Sequence, residues 1–392
     1  MGKSAPNTRH GETKVMKEIN RRHLLLGSAS LALSGACAST SPLPREVQNI
    51  SSLPDLQQVM SYGIMAPNPH NTQAWRMKEM NSNTFALFVD PKRLLPATDP
   101  NSRQILIGHG AFLENCSIAA EALGYKLVTH LFPNGTVNVL NSKNPVAICK
   151  LRKLKEPKVS PLFAEIPKRK TNRSEHINKR VTKEVEQKLS QLAYKVGVPH
   201  PKFVTEKSVE RLKPVVLEAF SNEMQTTRLA EETLKWWRFN DGEIKSRKDG
   251  ISIRTSGTKS RSFVWMAENL FIDKENFLNE SNTQKGIELF TDSINNSSNF
   301  GYIMSHGNTY HDQVKSGMSY VRFQLAASVL GLGVHPLSQV LQELPEMEAP
   351  QHEVNKLFLA TENDKVQMLF RFGEADAPLW TSPRRELKSF LG

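Results

Sequence analysis

Two stretches of this chain match each other without a gap. Gly110-Ala111-Phe112 through Ile118-Ala119-Ala120 and on to Leu123-Gly124-Tyr125 returns as Gly317-Met318-Ser319 through Leu325-Ala326-Ala327 and Leu330-Gly331-Leu332. The glycine, the aliphatic-Ala-Ala run and the Leu-Gly pair keep the same spacing in both. Each copy has helical apolar spacing and ends at a glycine placed to cap the helix. The Ala-Ala patch leaves room for another helix to come close. A weaker pair supports the duplication: Leu56-Gln57-Gln58-Val59-Met60 resembles Leu189-Ser190-Gln191-Leu192-Ala193, and each is followed by Gly, an aliphatic residue, Pro and His, at 63–70 and 197–200. A unit this long is no solenoid repeat. It predicts two lobes of shared ancestry, 53–150 and 151–392.

The local patterns predict a mixed fold. Strand-like runs lie at 85–89, 126–131, 356–359 and 366–370, and long helical patterns at 208–228 and 309–330. Pro214 is placed to shorten or kink the first helix. Strands and helices alternate without a βαβ rhythm, which favours α+β over a doubly wound sheet. No Gly-rich dinucleotide fingerprint is present. Trp236-Trp237-Arg238 and Asp249-Gly250-Ile251 mark an insertion in the second lobe at about 230–260, readable as a lid over a ligand or as an aromatic anchor with a turn.

The N-terminus reads as an address. Asn20-Arg21-Arg22-His23-Leu24-Leu25-Leu26 opens a Leu/Ala/Ser/Gly-rich run that closes at Leu33. At about ten residues it is too short to span a bilayer, which takes ~20. It suits a signal peptide, and the arginine pair has the form of a twin-arginine export signal. The expected signal is 1–38, cut after Ala38 in Ala36-Cys37-Ala38, with a Ser/Pro-rich linker at 39–52. Lipidation of Cys37 is the rival reading, and only that reading attaches the protein to a membrane. Either way the protein is expected to be bacterial and periplasmic or otherwise exported. Its partner on that route is the twin-arginine translocation machinery, which carries folded proteins and is used for cargo loaded with a cofactor before export.

Composition narrows the partners. A chain of 392 residues with 39% hydrophobic and 23% charged residues is an ordinary folded protein. The formal charge of +12 favours anionic ligands. The basic stretch 150–180 holds a single Phe, Phe163, and no series of aromatic residues interleaved with its cations, so nucleic acid is not an expected partner. Cys37, Cys116 and Cys149 form no zinc or C-x-x-C pattern, and no disulfide is expected. His306 and His311 have no evident third ligand, so no metal is expected.

Two short segments carry the candidate chemistry. The loop Gly63-Ile64-Met65-Ala66-Pro67-Asn68-Pro69-His70-Asn71-Thr72-Gln73-Ala74-Trp75 is stiff and uncharged, yet crowded with neutral hydrogen-bonding groups. Arg169-Lys170-Thr171-Asn172-Arg173 combines cations with a hydroxyl. On a helix Arg169 and Arg173 would share a face, and a helix start there would grip a phosphate monoester. Pro383-Arg384-Arg385 is a further basic element near the C-terminus.

Together these segments resemble the FMN-dependent nitroreductases. Ala66 to Trp75 is similar to that family's A-P-S-x-x-N-x-Q-P-W loop, with Asn68 in place of Ser and Ala74 in place of Pro. Arg169 to Arg173 is similar to its R-R-S-x-R phosphate motif, with Lys170 in place of Arg. Val334-His335-Pro336-Leu337-Ser338-Gln339 resembles its second flavin-contacting segment, and Arg371-Phe372-Gly373 with Arg384-Arg385 its closing strand and basic extension. The family is normally a homodimer with FMN at the interface. The resemblance therefore implies two tandem nitroreductase-like lobes in one chain, a monomer mimicking that dimer, with one flavin. It implies that Arg169, Lys170, Thr171 and Arg173 hold the phosphate, closed over by Arg384 or Arg385. Pro67, Asn68 and Asn71 approach the ring from the first lobe, and Pro336, Leu337 and Ser338 line its other edge. Gln73 and Trp75 are expected to be structural. The implied activity passes electrons from a small reduced donor to a nitro, quinone or similar acceptor, with no acid–base residue singled out. The alternative is a protein of the same fold that only binds or sequesters flavin.

Overall fold

The computed structural model describes residues 50–258 and 260–392. The export signal, the site at Cys37 and nearly all of the linker 39–52 lie outside these residues. The first lobe runs α1 (Asp55–Gly63), β1 (Trp75–Asn81), β2 (Thr84–Val89), α2 (Arg103–Ala122), β3 (Tyr125–Leu131) and β4 (Ala147–Lys153). The second opens with α3 (Lys183–Ala193) and β5 (Pro201–Phe203). A helical excursion follows: α4 (Glu206–Gln225), α5 (Thr227–Lys235), α6 (Asp241–Arg247), α7 (Arg261–Met266) and α8 (Glu280–Asn295). The lobe then closes with β6 (Phe300–His306), α9 (Tyr310–Val329), β7 (Gly333–Pro336), α10 (Glu348–Leu357) and β8 (Asp364–Gly373).

Both lobes wind their sheets alike. The strand orders are β1-β2-β4-β3 and β5-β6-β8-β7, antiparallel throughout. The strong sequence repeat falls on α2 and α9, and the weak one on α1 and α3, which precede the first strand of each lobe. The fold is thus α+β with a duplicated unit. Where the first lobe joins β1 to β2 by a short turn, the second inserts α4 to α8. The insertion expected at about 230–260 is the middle of this larger excursion.

The two repeat helices pack on each other, and glycine decides how closely. A Cβ on Gly110 would lie 1.9 Å from the carbonyl oxygen of Val314, and one on Gly317 would lie 1.9 Å from that of Ile107. In the repeat alignment Ile107 matches Val314 and Gly110 matches Gly317, so the two contacts are copies of each other. This is the self-complementary pairing of a two-fold dimer, built within one chain. The glycines, rather than the Ala-Ala patch, set the approach. Around them Leu106, Phe112, Val321, Phe323 and Leu325 are buried in one core that draws on both lobes. Burial of each such side chain contributes about 1.5–3 kcal/mol. A second core, with Leu212, Val216, Leu341 and Leu369, lies under the helices of the second lobe.

Some local expectations fail. Residues 356–359 are not a strand: Lys356 and Leu357 end α10, and Leu359 has φ of 54°. A four-residue apolar pattern does not distinguish a strand from a helix end. The helical pattern at 208–228 breaks at Thr226, which has extended ψ of 106°, into α4 and α5. α4 continues through Pro214, which sits on its exposed side. The tail after β8 follows the second lobe in sequence but returns to the first: Met77 and Gly392 exchange backbone hydrogen bonds with Phe390 and Met77, at 2.8 and 3.0 Å.

One buried acid gives the fold a pH dependence. Glu223 on α4 accepts a hydrogen bond from Gln342 Nε2 at 2.5 Å, and burial pushes its carboxyl up to about 7. The folded state therefore holds this proton more tightly than the unfolded chain. The resulting stability is complete below the ordinary carboxyl range and is lost as pH rises through about 7. Glu223→Gln, which keeps the shape of the neutral acid, should raise stability by about 2–3 kcal/mol near pH 8 and change little near pH 4.5. Chemical denaturation of both proteins at the two pH values checks this. An unchanged difference between them would remove Glu223 as the titrating group.

Candidate functional site

The uncharged loop follows α1. His70, Asn71 and Gln73 have φ of 46°, 51° and 51°, left-handed values that non-glycine residues adopt at a cost of about 1 kcal/mol or more each. The neutral side chains hold this shape. Asn68 Oδ1 accepts from Gln73 N–H at 2.8 Å, and Asn68 Nδ2 donates to Ala66 O at 3.2 Å. Gln73, fully buried, donates to Lys248 O at 2.9 Å and accepts from Arg385 N–H at 2.9 Å. Asn71 Oδ1 accepts from Arg384 at 2.8 Å, and its amide donates to Pro383 O at 3.2 Å. Asn68 and Asn71 thus spend their side chains on the loop and the tail. Trp75 fills the core against Phe112, at a centroid distance of 5.3 Å.

The segment 169–173 is not a helix, so Arg169 and Arg173 do not share a helical face. Its chain lies along β7 instead, with Asn172 N–H donating to Val334 O at 2.9 Å. That single bond ties the segment to the edge of β7. Arg169 reaches Gln324 Oε1 at 3.1 Å and Met65 O at 3.4 Å. Gln324 in turn donates to the Tyr320 hydroxyl at 2.7 Å. Arg384 from the tail donates to Ile64 O at 2.8 Å and Ala66 O at 3.0 Å. The basic segment, the loop and the tail therefore meet. Of the two C-terminal arginines, Arg384 reaches this point; Arg385 turns its side chain onto the Phe390 ring, 4.5 Å away.

The meeting point is strongly cationic. Burial lowers Arg384 to about 9, with Arg169 adding to the effect, and lowers Arg169 to about 10. Burial also lowers Arg371 to about 9, with the Arg173 charge next. Arg371 donates to the carbonyls of Arg173 and Ser174 at 3.1 and 2.9 Å, and so fixes the end of the segment. Arg173 donates to Thr255 O at 3.0 Å. Beside it opens a small pocket, part of it open to solvent, lined by Lys170, Thr171, Arg173, Arg254, Trp380 and Ser382 among others. None of its lining residues is acidic. The pocket opens on the basic segment and not on Pro67, Asn68 or Asn71.

Pro336, Leu337 and Ser338 sit at the end of β7. Leu337 N–H donates to Leu369 O at 2.8 Å and its side chain is in the second core. The link from this segment to the cations is His335, which accepts from Arg371 Nε at 3.1 Å. Sequence reasoning missed Tyr320, Gln324, Arg254 and Trp380. Each comes from an element remote in the chain, and no local pattern marks it.

The excursion walls the site. His70 Nε2 lies 3.2 Å from Thr233 Oγ1, and Gly250 N–H donates to Asn71 O at 3.2 Å. Buried ion pairs fasten this wall: Arg238–Asp249 at 2.6 Å and Arg254–Glu268 at 2.7 Å. Trp236 is held between Arg93 and Arg238, at 5.5 and 5.7 Å. Among the described residues no group of three or more His, Cys, Asp or Glu side chains is placed to hold a metal. His306 pairs with Asp364, and His311 packs on Phe132.

The fold and site thus define a two-lobed α+β protein with a basic pocket that no acidic residue lines. No family model matches the sequence. The chain is similar to a protein of Mycobacterium tuberculosis H37Rv assigned provisionally as the NAD(P)H nitroreductase Rv3131, at 29% identity over 124 residues, which is 30% of this chain and 33% of the relative. It is also similar to the provisionally assigned NAD(P)H nitroreductase acg of the same strain, at 37% identity over 79 residues, 20% of this chain and 24% of the relative. The chain thus spans about a third or less of the length of the curated relatives it matches. Among solved structures, the FMN-dependent nitroreductase NfnB from Mycobacterium smegmatis, in complex with NADPH, aligns with 57% of this chain and 92% of its own at 18% identity and a TM-score of 0.34.

Proposed function

We propose that this chain is an exported FMN-binding oxidoreductase of the nitroreductase type. The observation that carries the reading is the pocket itself, where Lys170 and Arg173 of the basic segment line a wall that has no acidic residue, and where Arg254, the excursion's cation there, is already paired with Glu268 and Asp241. Buried cations of this kind suit a dianionic phosphate monoester. Arg173, Lys170 and Thr171 hold that phosphate. Arg169 and Arg384, anchored on the carbonyls of the uncharged loop, carry positive charge from the phosphate end toward the ring. The ring would extend beyond the pocket lining, toward the backbone of Pro67 to Asn71 on one side and Pro336, Leu337 and Ser338 on the other. FMN, when bound, supplies two-electron transfer between a small reduced donor and a nitro, quinone or similar acceptor. Arg371 positions Arg173, and the excursion excludes water.

One flavin per chain follows. In the second lobe the loop after α3, 194–200, lacks the Asn, Gln and Trp of the first loop, and the first lobe has no counterpart of the basic segment 169–173. The sequestering alternative draws on the ion-paired wall, which would hold substrates off the ring.

Absorbance decides between these readings. Purified protein reconstituted with FMN should retain one equivalent, bleach with a reductant such as NADPH or dithionite, and recover with a quinone or nitroaromatic. Retained flavin that dithionite reduces but no acceptor reoxidises would favour sequestration. Failure to retain FMN would end the flavin reading. Export is tested separately: replacing Arg21 and Arg22 by Lys should leave the protein in the cytoplasm of a host with a twin-arginine pathway.

A further inference from the structure

We propose that the indole N–H of Trp380 is a hydrogen-bond donor to the phosphate monoester in this pocket, and that the C-terminal tail thereby selects phosphorylated over unphosphorylated ligands. The proposal rests on the flavin reading above and adds a specificity-determining residue to it.

Trp380 lies in the tail that crosses from β8 back to the first lobe. It lines the pocket together with Lys170, Arg173 and Arg254, and it is only 3% exposed. Its Nε1–H is buried and has no acceptor among the described residues. A buried indole N–H normally finds a partner, because leaving one unmade forfeits the hydrogen bonds it had with water. An indole is a donor only. Among cations that supply charge, it would contribute a directed neutral hydrogen bond that a phosphate oxygen accepts.

One cation packs on the ring, and the chain around it is tied down. Arg261 stands over its face at 5.9 Å. The tail on either side is pinned: Lys170 Nζ donates to Pro378 O at 2.7 Å, Asn172 Nδ2 donates to Asp376 O at 2.9 Å, and Arg384 is fixed on the loop carbonyls. The donor is therefore preorganised, so little ordering is needed when the ligand arrives.

Trp380→Phe keeps an aromatic ring and removes the donor. FMN affinity should fall about tenfold in this variant, while riboflavin, which lacks the phosphate, binds it as it binds the wild type. Unchanged FMN affinity, or an equal loss for both flavins, overturns the proposal. A second measurement uses the wild-type protein and does not depend on the variant folding. The Trp380 indole N–H resonance should move on titration with FMN or inorganic phosphate and stay in place with riboflavin. If the wild type binds neither flavin but inorganic phosphate moves this resonance, the flavin reading fails and the phosphate donor stands. If neither phosphate nor FMN moves it, the donor assignment fails.

Discussion

Arg173→Ala should strip FMN from the protein. The variant is expected to lose its flavin on desalting and to show a dissociation constant raised about a hundredfold or more, the effect of removing one charge-assisted contact from a buried site. The reasoning is geometric. Arg173 lines the pocket, donates to Thr255 O, and has its own backbone held by Arg371. Its guanidinium is fixed before any ligand arrives. Arg173→Lys should recover only part of the loss, because charge remains while the planar fork does not. Trp75→Phe is the control. Trp75 is buried against Phe112, away from the pocket lining, so this change should lower stability and leave flavin retention within a few-fold. Equal retention in the Arg173 and Trp75 variants would remove the phosphate assignment.

Gly317→Ala should destabilise the fold by roughly 3–5 kcal/mol, and Gly110→Ala by a similar amount. The added methyl would sit 1.9 Å from a carbonyl oxygen in each case. Backbone cannot rotate away as a side chain tip can, so α2 and α9 would have to separate along the core that both lobes share. Thermal and denaturant unfolding of each variant checks this. The double variant should cost less than the sum of the two, since the first substitution already opens the shared contact. Gly286→Ala in α8 is the internal contrast. There a Cβ meets only Met224 Cε at 4.0 Å, and the change should stabilise by about 0.5–1 kcal/mol through helix propensity. A destabilisation at Gly317 no greater than the effect at Gly286 would mean that close helix approach does not hold the lobes together.

The repeat was the most legible part of the fold. It located α2 and α9, and the weaker match located α1 and α3, because residues that pack across a two-fold contact must satisfy the same spacing twice. The uncharged loop and the basic segment were also legible, since unusual composition over a few residues needs a local reason. The shape of each was not. Residues 169–173 carry a helical arginine spacing, but the open edge of β7 offers their backbone other partners. The Asn side chains of the loop, expected at a ligand, are taken by the loop's own left-handed turns and by the tail. Arg384 and Arg385 are indistinguishable as neighbours in sequence, and only the path of the tail sends one to the site and the other to Phe390.

Residue order alone was enough for the duplicated α+β plan, the basic character of the site and the uncharged loop that its arginines anchor on. Those properties depend on spacing and composition over short windows. Three-dimensional packing was needed to bring Arg173, Arg254 and Trp380 to one pocket and to join the lobes through two facing glycines. Such contacts link residues far apart in the chain, and their energy exists only once the intervening elements have folded and excluded water around them.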